Sequence, residues 1–451
     1  MKSVALHNLG CKVNGYEFDV MQQMLQENGY KIVSFDEQAD IYLVNTCTVT
    51  NIADRKSRQM LHRAKKMNPD AVVVAVGCYV QTGEETIEKD EAIDLAIGNN
   101  RKKDIVAILE KYLSERETKI TDKKEAAKEY KVRYAKKDII DINHTNEYEE
   151  MTLNGTMEHT RAYVKIQDGC NQFCSYCIIP YARGRVRSRK EEDVLAEVKG
   201  IVNLGYQEIV ITGIHISSYG IDRGEPELLQ LLEKLSQIDG LKRIRIGSLE
   251  PRIITGEFAK RISELEKICP HFHLSLQSGC DETLCRMNRR YTTGEYLEKV
   301  ELLRKYFDNP AITTDVIVGF PGETEKEFAI TKAFLEKVHF YEMHIFKYSK
   351  RQGTRAAVME HQVTDAVKTE RSNELMELER KMSEEYRKSF VGKEVEVLFE
   401  EAKEIDGRIY QIGHTRQYVK VVKETQEDCS NCIVSGELTG FLKEEMMTMN
   451  D

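Results

Sequence analysis

The sequence predicts an α/β protein built from three units: an N-terminal parallel α/β domain, a central partial (β/α)6 barrel and a small C-terminal antiparallel β-barrel. The 451 residues exceed the size of one ordinary domain. Apolar runs of strand length alternate with helical patterns in two separate series, over 1–112 and over 158–388. Over 389–451 the pattern changes to short runs in which apolar and polar residues alternate.

Three strands are predicted in the N-terminal unit, within the segments SVALHNLGC, IYLVNTC and AVVVAVGC. These segments are apolar almost throughout, as expected of strands that are buried on both faces. The segments GYEFDVMQQMLQENG and NIADRKSRQMLHRAKKMNP lie between them and are typical of helices. The resulting β-α-β-α-β order predicts a parallel sheet with right-handed crossovers.

A charged linker with some local helix is predicted over 113–157, because this segment is poor in apolar periodicity. From residue 161 a second β/α series begins. Its strands are predicted in AYVKIQ, EIVITGIH, RIRIGSLE, HFHLSLQSG, ITTDVIVGF and EMHIFKYS. A closed barrel of this kind has eight strands, so six strands predict a partial, open barrel.

The C-terminal unit follows an amphipathic helix that is predicted over 365–390. After this helix come the runs GKEVEVLFEEA, GRIYQIGHTRQYVKVVKE and CIVSGELTGF. Their alternation and their short length predict a small antiparallel β-barrel.

Composition and charge favour a soluble globular protein, with 41% hydrophobic and 31% charged residues. The apolar runs are far shorter than the roughly 18 residues of a membrane helix. The N-terminus also lacks the apolar core and the cleavage site of a signal peptide, so we expect a cytoplasmic protein with no membrane partner. Because the net charge is −9, a nucleic-acid site would have to be a local basic patch, such as 54–66 or 183–190.

Eleven cysteines in a reducing compartment are expected to be metal ligands or buried thiols, and the odd count also argues against a disulfide framework. Cys170, Cys174 and Cys177 have a C-x3-C-x2-C spacing, in a loop just after the first strand of the predicted barrel. An iron–sulfur cube or a zinc ion normally takes four ligands. The local segment offers no fourth protein ligand, which weighs against zinc.

A second triad, Cys11, Cys47 and Cys78, ends the three predicted strands of the N-terminal sheet. The carboxyl ends of parallel strands lie at one edge of a sheet, so these cysteines can converge on one metal site. Three unrelated buried thiols are the structural alternative. The remaining cysteines are expected to be packing or surface thiols, with a zinc or redox role left open for the last two: Cys269, Cys280, Cys285, Cys429 and Cys432.

The C-x3-C-x2-C motif after the first strand of a β/α barrel resembles the radical S-adenosylmethionine (SAM) superfamily. The resemblance implies a 4Fe-4S cluster whose fourth iron is chelated by SAM, so the missing ligand is the cofactor. It also implies reductive cleavage of SAM to a 5′-deoxyadenosyl radical, with a reductant such as flavodoxin or ferredoxin. Four residues at predicted strand ends share one rim, and they are either cofactor contacts or ordinary turn residues: Gly213, Glu250, Gln277 and Gly319.

The segments LGCKVNGYE, NTCTVT and GCYVQ, followed by GCNQFCSYCIIPYARGRVRSR, resemble the methylthiotransferase family over nearly the whole chain. The resemblance implies a second 4Fe-4S cluster on Cys11, Cys47 and Cys78, whose open iron carries the sulfur destined for the substrate. It implies that one SAM supplies the methyl group and another supplies the radical. It further implies that residues 389–451 form a TRAM domain that binds RNA. The resemblance does not identify the sulfur donor.

Within the family, LGCKVN and TGIHISSYG most resemble the branch that methylthiolates N6-threonylcarbamoyladenosine in tRNA, beside the anticodon. The alternatives are the branch that acts on isopentenyladenosine in tRNA, the branch that acts on a ribosomal-protein aspartate, and a non-catalytic iron–sulfur protein that binds RNA. The loop that carries Cys170, Cys174 and Cys177 is called the cluster loop. A run of arginines beside it could bind phosphates or the carboxylate of a threonylcarbamoyl group, or could be a solvated basic loop. These arginines are Arg183, Arg185, Arg187 and Arg189.

Overall fold

A parallel sheet of six strands forms the N-terminal domain of the computed structural model, which describes residues 1–126, 136–154, 160–443 and 445–450. The strands are β1 (Ser3–Asn8), β2 (Lys31–Val33), β3 (Ile41–Thr46), β4 (Val72–Gly77), β5 (Leu95–Ile97) and β6 (Lys136–Asp138). They lie in the order β2-β1-β3-β4-β5-β6. The helices are α1 (Lys12–Glu27), α2 (Asn51–Met67), α3 (Cys78–Thr82), α4 (Glu84–Lys89) and α5 (Ile105–Ala126).

Both faces of this sheet are buried, as its apolar strands predicted. Val4 and Leu6 of β1 pack into one core, whereas Ala5 between them packs into a second core on the other face. Side chains alternate across a strand, so a strand covered on both faces must be apolar at every position. The predicted β-α-β-α-β order is therefore confirmed.

In its described residues, the segment 113–157 contains more regular structure than the charged linker that the sequence predicted. Helix α5 continues to Ala126, and β6 joins the sheet as a strand parallel to β5. Strand β6 has no apolar signal because it is an edge strand, and charges hold it instead: Lys136 lies 3.0 Å from Glu115. Tyr16 of α1 also donates a hydrogen bond to the Met151 carbonyl, which ties the end of this segment to the N-terminal domain.

All six predicted strands of the central unit are present, and the structure contains one additional strand of two residues. The strands are β7 (Arg161–Asp168), β8 (Arg187–Ser188), β9 (Glu208–Gly213), β10 (Arg243–Ile246), β11 (His271–His273), β12 (Ala311–Val318) and β13 (Glu342–Lys347). Two runs, β8-β7-β9-β10 and β11-β12-β13, are joined by parallel bridges between Ile244 and Ile268 and between Leu249 and Leu274. The main strands thus form a curved parallel sheet that stays open between β7 and β13, the predicted partial barrel.

Helices cover the outer face of this partial barrel. They are α7 (Glu191–Asn203), α8 (Leu228–Ser236), α9 (Gly256–Ser263), α10 (Asp281–Arg286), α11 (Thr293–Tyr306), α12 (Glu325–Val338) and α13 (Asp365–Lys388). The short helix α6 (Ile179–Arg183) instead packs against α3 of the N-terminal domain. Core residues such as Ile312 and Val316 of β12 pack against the outer helices. The alternate strand positions therefore face the interior, which we call the lumen. Within the described ranges, no helix combines the length and the apolar character needed to cross a bilayer.

A closed five-stranded barrel forms the C-terminal domain, as predicted. Its strands are β14 (Glu394–Ile405), β15 (Arg408–Thr415), β16 (Lys420–Glu424), β17 (Ile433–Lys443) and β18 (Met446–Asn450). Neighbouring strands are antiparallel except β16 and β18, which run parallel. The barrel contacts the amino ends of the central strands, where Arg243 donates to the Glu396 and His414 carbonyls at 2.9 and 3.1 Å.

Candidate active site

The three strand-end cysteines lie at one edge of the N-terminal sheet. Cys47 directly follows β3, Cys78 directly follows β4, and Cys11 follows β1 after a short turn. Strands β1, β3 and β4 are adjacent and parallel. Gly10 has φ +115°, and a Cβ added to it would lie 3.2 Å from the Cys47 Cβ, so the turn that carries Cys11 passes close to Cys47. The three cysteines thus follow the carboxyl ends of adjacent parallel strands, and their convergence on one metal site stays a prediction.

The surroundings of this triad suit thiolates that bind a cationic cluster. The Arg183 Nε lies 3.2 Å from the Cys78 Sγ, and the Asn99 Nδ2 lies 3.6 Å from the same sulfur. Burial raises the pKa of the Cys47 thiol to about 11, so this thiol needs a nearby positive centre to become a thiolate at neutral pH. Iron supplies that charge, and N–H donors to the sulfurs tune such a cluster.

The second triad lies in the loop that follows β7. Gly169 has φ +72°, and a Cβ at this position would lie 1.8 Å from the Arg185 carbonyl oxygen, so only glycine fits. The loop is closed by a hydrogen bond from the Cys170 N–H to the Gly184 carbonyl at 3.0 Å. Arg289 places Nη1 3.4 Å from the Cys174 Sγ, and burial raises the pKa of the Cys177 thiol. A tight loop therefore presents three thiols, as the spacing predicted.

Neither triad has the geometry of a single-ion site. Among the described histidines, cysteines and acids, three ligand atoms lie within 4.8 Å of one another only at His273, Asp315 and His344. In a 4Fe-4S cube each thiolate binds a different iron, so the sulfurs of its ligands stand farther apart than those of one zinc ion. Three thiols without single-ion spacing at each triad suit a cluster better than one zinc ion.

The four predicted cofactor residues share the carboxyl-end rim of the partial barrel with the cluster loop. Gly213 ends β9, Gly319 directly follows β12, and Glu250 and Gln277 lie a few residues beyond β10 and β11. Gly213 has no room for a side chain, because a Cβ there would lie 2.9 Å from the Gln167 carbonyl oxygen. Their common rim agrees with the position of active sites in β/α barrels, and SAM contacts at these residues stay a prediction.

The N–H and carboxylate groups of two of these residues are already engaged. The Gly319 N–H donates to a Glu323 carboxylate oxygen at 2.6 Å. The Glu250 carboxylate accepts a hydrogen bond from the Arg252 Nε at 2.8 Å. A cofactor contact of the Gly319 N–H would therefore require Glu323 to move, whereas the second oxygen of Glu250 keeps acceptor capacity.

Most of the arginine run is not available to a substrate, which corrects the sequence prediction. The Arg183 guanidinium is fully buried and binds the carboxylates of Glu17 and Asp168. Arg189 is also buried, and its guanidinium binds the Glu197 carboxylate. These side chains neutralise internal acids, which a local sequence pattern cannot show.

The other two arginines of the run differ from each other. Arg187 is buried, donates to the Arg185 carbonyl at 3.0 Å, and lies 4.0 Å from Asp168. Arg185 is exposed, and its guanidinium lies over the Phe173 ring at 4.5 Å. Only Arg185 of the four can therefore meet a phosphate or a carboxylate in solution, and that role stays a prediction.

A buried ion network joins the two cysteine sites. Glu17 of α1 binds Lys102 of its own domain and also Lys165 and Arg183 of the central unit. All four side chains have at most 1% of their surface exposed. The cations hold the pKa of the Glu17 carboxyl well below its usual range, although burial alone would raise it. Because Arg183 also reaches Cys78, the network fixes the N-terminal edge against the cluster loop.

Sequence reasoning missed a group of polar side chains in the lumen. His273, Asp315 and His344 lie on β11, β12 and β13, and Asp315 and His344 are register partners. Lys12 approaches the same space from the first turn of α1. It is reached by water, yet partial loss of hydration together with Arg245 and Arg161 lowers its pKa. The signal was present as polar residues at every second position of the predicted strands.

The lumen opens into a groove along the free edge of β13. This groove has a volume of about 600 Å³. It is lined by His344 and Phe346 of β13, by residues of α13 such as Glu379, and by Tyr418 and Lys420 of the C-terminal barrel. The groove thus connects the inner face of the central unit with the domain predicted to bind RNA.

Comparison with protein families defines the class of this site. A model described as the radical SAM superfamily matches residues 164–335, which contain both the cluster loop and the rim. A model described as the uncharacterized protein family UPF0004 matches residues 3–98, which contain the strand-end cysteines. The chain is a radical SAM enzyme with an additional N-terminal domain.

Relatives of known name make the assignment narrower. The chain is 40% identical to the threonylcarbamoyladenosine tRNA methylthiotransferase MtaB of Bacillus subtilis, over 96% of this chain and 93% of that protein. It is 39% identical to the tRNA-2-methylthio-N(6)-dimethylallyladenosine synthase of Thermoanaerobacter pseudethanolicus, over 88% of this chain and 81% of that protein. The chain therefore belongs to the radical SAM methylthiotransferase family, whose cofactors are two 4Fe-4S clusters and SAM.

Solved structures agree with the fold. The radical SAM methyltransferase TsrM of Kitasatospora setae, solved with tryptophan and a SAM analogue, matches with a TM-score of 0.55 and 15% identity. The match covers 79% of this chain and 75% of that chain. At this identity the likeness concerns the architecture, which combines an α/β domain with a radical SAM core.

Proposed function

We propose that the protein inserts sulfur at carbon 2 of N6-threonylcarbamoyladenosine beside the anticodon of tRNA and methylates it. The product is 2-methylthio-N6-threonylcarbamoyladenosine. The observation that carries the proposal is the contact of Arg183 with Cys78, which holds one cysteine site against the other across a shared lumen. A radical formed at one site can then act on a base that also meets the sulfur of the other.

The residues divide between the two sites. Cys170, Cys174 and Cys177 would hold the cluster that binds SAM, and the strand-end cysteines would hold the cluster that delivers sulfur. When bound, these groups supply electron transfer, the 5′-deoxyadenosyl radical and the sulfur atom. The chain itself closes the cluster loop through the Cys170 N–H and donates to the Cys174 sulfur through Arg289. It also neutralises the buried charges around Glu17, so the sites keep their spacing.

Each domain has a place in this proposal. The N-terminal domain, which carries the strand-end cysteines, comprises residues 1–112 and β6. The radical SAM core comprises residues 158–388, and residues 389–451 would bind RNA. Lys420 and Tyr418 of the C-terminal barrel line the groove that leads to the lumen. A tRNA base lies in a loop, so it can be unstacked and presented through such a groove. Since the net charge is −9, binding would depend on these local contacts.

The second candidate is methylthiolation of isopentenyladenosine, and it rests on the relative that is 39% identical. The substituents differ in charge, because the threonylcarbamoyl group carries a carboxylate and the isopentenyl group is apolar. The polar lumen, with Lys12 beside Asp315, favours the charged substituent. The ribosomal-protein aspartate is the third candidate.

Mass spectrometry of tRNA nucleosides tests the proposal. A strain without the gene should lose 2-methylthio-N6-threonylcarbamoyladenosine and accumulate the form without the methylthio group. The wild-type gene should restore the product, whereas a Cys47→Ala gene should not. Loss of 2-methylthio-isopentenyladenosine instead would promote the second candidate, and unchanged tRNA with an altered ribosomal protein would promote the third.

A further inference from the structure

Half of the lumen is covered by protein and half is open. On β7, Lys165 faces the interior and pairs with Glu17 of α1, so the N-terminal domain fills that side. On β11, β12 and β13 the inner face carries His273, Asp315 and His344, which are half-buried or exposed. We call these three residues with Lys12 and Phe346 the open half of the lumen. Polar side chains that no core packing explains are typical of a binding site.

The three polar side chains form a compact group. The His273 Nε2 lies 3.3 Å from the Asp315 Oδ2, without the alignment of a hydrogen bond. The other ring nitrogen of His273 lies 3.0 Å from the Thr313 hydroxyl, which holds the ring in place. The rings of His273 and His344 are stacked, with centroids 5.8 Å apart. Their hydrogen-bonding edges therefore face the same small volume.

Lys12 brings a positive charge to this volume. It directly follows Cys11 at the start of α1, the helix that packs against β7 and β9, and it interacts electrostatically with Asp315, Arg245 and Arg161. The two arginines are already engaged by the Glu208 carboxylate. Among the described residues, no carboxylate lies within ion-pair distance of the Lys12 ammonium. A cation beside a cluster ligand with no carboxylate of its own is ready to bind an anionic group.

Phe346 completes the open half. It lies two residues after His344 on the same face of β13, and 47% of its surface is exposed. An exposed aromatic ring at the entrance to a nucleic-acid site is a platform on which a base can stack.

Two histidines and an aspartate could also bind a divalent metal ion. The positive charge of Lys12 argues against this, because it repels a second cation in the same space. An organic ligand that combines a carboxylate with N–H and hydroxyl groups suits these side chains better.

We propose that the open half of the lumen binds the N6 substituent of the target adenosine. Lys12 binds its carboxylate, Asp315 and His344 bind its N–H and hydroxyl groups, and Phe346 stacks on the base. This assignment rests on the proposed function. In this assignment Lys12 selects the charged substituent, and the buried arginines of the cluster loop do not.

The test measures binding of anticodon stem-loop RNAs to the reconstituted holoenzyme by fluorescence anisotropy. One RNA carries N6-threonylcarbamoyladenosine, one carries isopentenyladenosine and one carries unmodified adenosine. The wild type should prefer the first RNA by about tenfold or more, the value of one charge-assisted hydrogen bond. Lys12→Gln should remove this preference, whereas Phe346→Ala should weaken binding of all three RNAs.

Lys260→Gln is the matched control, because Lys260 is an exposed lysine of α9 that lies outside the lumen and outside both basic patches. Iron content and cluster spectra verify that every variant is intact. A preference that persists in Lys12→Gln, or that is lost in Arg185→Gln instead, would overturn the assignment. Stoichiometric zinc in the holoenzyme that disappears in His273→Ala would overturn it in favour of a metal site. A wild type that prefers the isopentenyl RNA, or has no preference, rejects the proposed function itself.

Discussion

The Nε of Arg183 lies 3.2 Å from the Sγ of Cys78, although the two residues belong to different domains. Arg183 ends the helix that follows the cluster loop of the central unit, and Cys78 begins the helix after β4 of the N-terminal sheet. The guanidinium is fully buried, so both its charge and its hydrogen bond act at the sulfur without screening by water. One side chain of the radical site therefore sets the electrostatic environment of the other site.

Arg183→Gln should make the reduction potential of the auxiliary cluster more negative. A charge-assisted hydrogen bond contributes about 1.5–3 kcal/mol, which corresponds to roughly 60–130 mV for one electron. The potential is measured by a redox titration followed by EPR, in a background where Cys170, Cys174 and Cys177 are alanine. Arg185→Gln, an exposed change on the same loop, serves as the control. An equal shift in both variants would contradict a specific effect of Arg183.

Iron content should report two clusters. Anaerobically reconstituted protein is expected to hold about eight irons per chain. Replacing Cys170, Cys174 and Cys177 by alanine should lower this value to about four, because the other triad lies on a separate sheet. Cys285→Ala is the control, since that thiol is exposed and distant in sequence from both motifs. About four irons in the wild type would mean that only one triad holds a cluster.

Glu17→Ala should destabilise the junction of the two domains. The change leaves Lys102, Lys165 and Arg183 buried without their shared carboxylate, and breaking such a network costs about 3–5 kcal/mol. The free energy of unfolding is measured by chemical denaturation, with Glu27→Gln at the exposed end of the same helix as control.

The same carboxyl makes a prediction for acid stability. The pKa of Glu17 in the folded protein is lowered well below the value of 4.5 that an unfolded chain would have. An acid with a lowered pKa stabilises the fold fully above its unfolded pKa, and this contribution disappears as the pH falls below about 4.5. The wild type should therefore lose more stability than Glu17→Ala between pH 5 and 3. Parallel losses would show that the fold does not lower the pKa of Glu17.

Binding of tRNA should depend on pH through Glu379, which lines the groove beside β13. Burial, followed by the charges of Glu342 and Glu445, raises the pKa of Glu379 to about 7, although Arg387 opposes the shift. The carboxyl loses its proton as the pH rises through this value, and the new negative charge repels phosphate. Affinity for tRNA should fall between pH 6 and 8, whereas Glu379→Gln should remove this dependence. A wild type whose affinity is constant over this range would exclude Glu379 from the RNA path.

The elements that were predicted correctly carry their signal locally. The ends of β1, β3 and β4 bring three cysteines together because parallel strands share a direction, and three apolar runs are enough to show this. Strand β6 gave no such signal, since its charged residues are satisfied by partners such as Glu115 and Arg101, which lie far away in the sequence.

The arginine run beside the cluster loop shows the same limit of sequence-based prediction, which sees local patterns but not the partners of a side chain. Its arginines alternate as a solvated basic segment would, but Arg183 and Arg189 are buried against Glu17 and Glu197. Glu17 belongs to the other domain and Glu197 to the helix that follows the run, so only the folded chain reveals that both acids pair with these arginines. Conversely, the polar period of two was visible within HFH and EMH, but a binding role required the knowledge of which face the helices leave uncovered.

The network around Glu17 has a consequence for how the family can exchange its parts. The carboxylate is supplied by α1, one cation by the N-terminal domain and two cations by the central unit, so neither domain is electrically complete without the other. An N-terminal domain transplanted from a relative would need to keep Asn14 and Glu17, because both accept hydrogen bonds from Arg183. The two cysteine sites therefore depend on each other. A chimaera with a junction between the two domains would be functional only if its N-terminal domain kept both acceptors for Arg183.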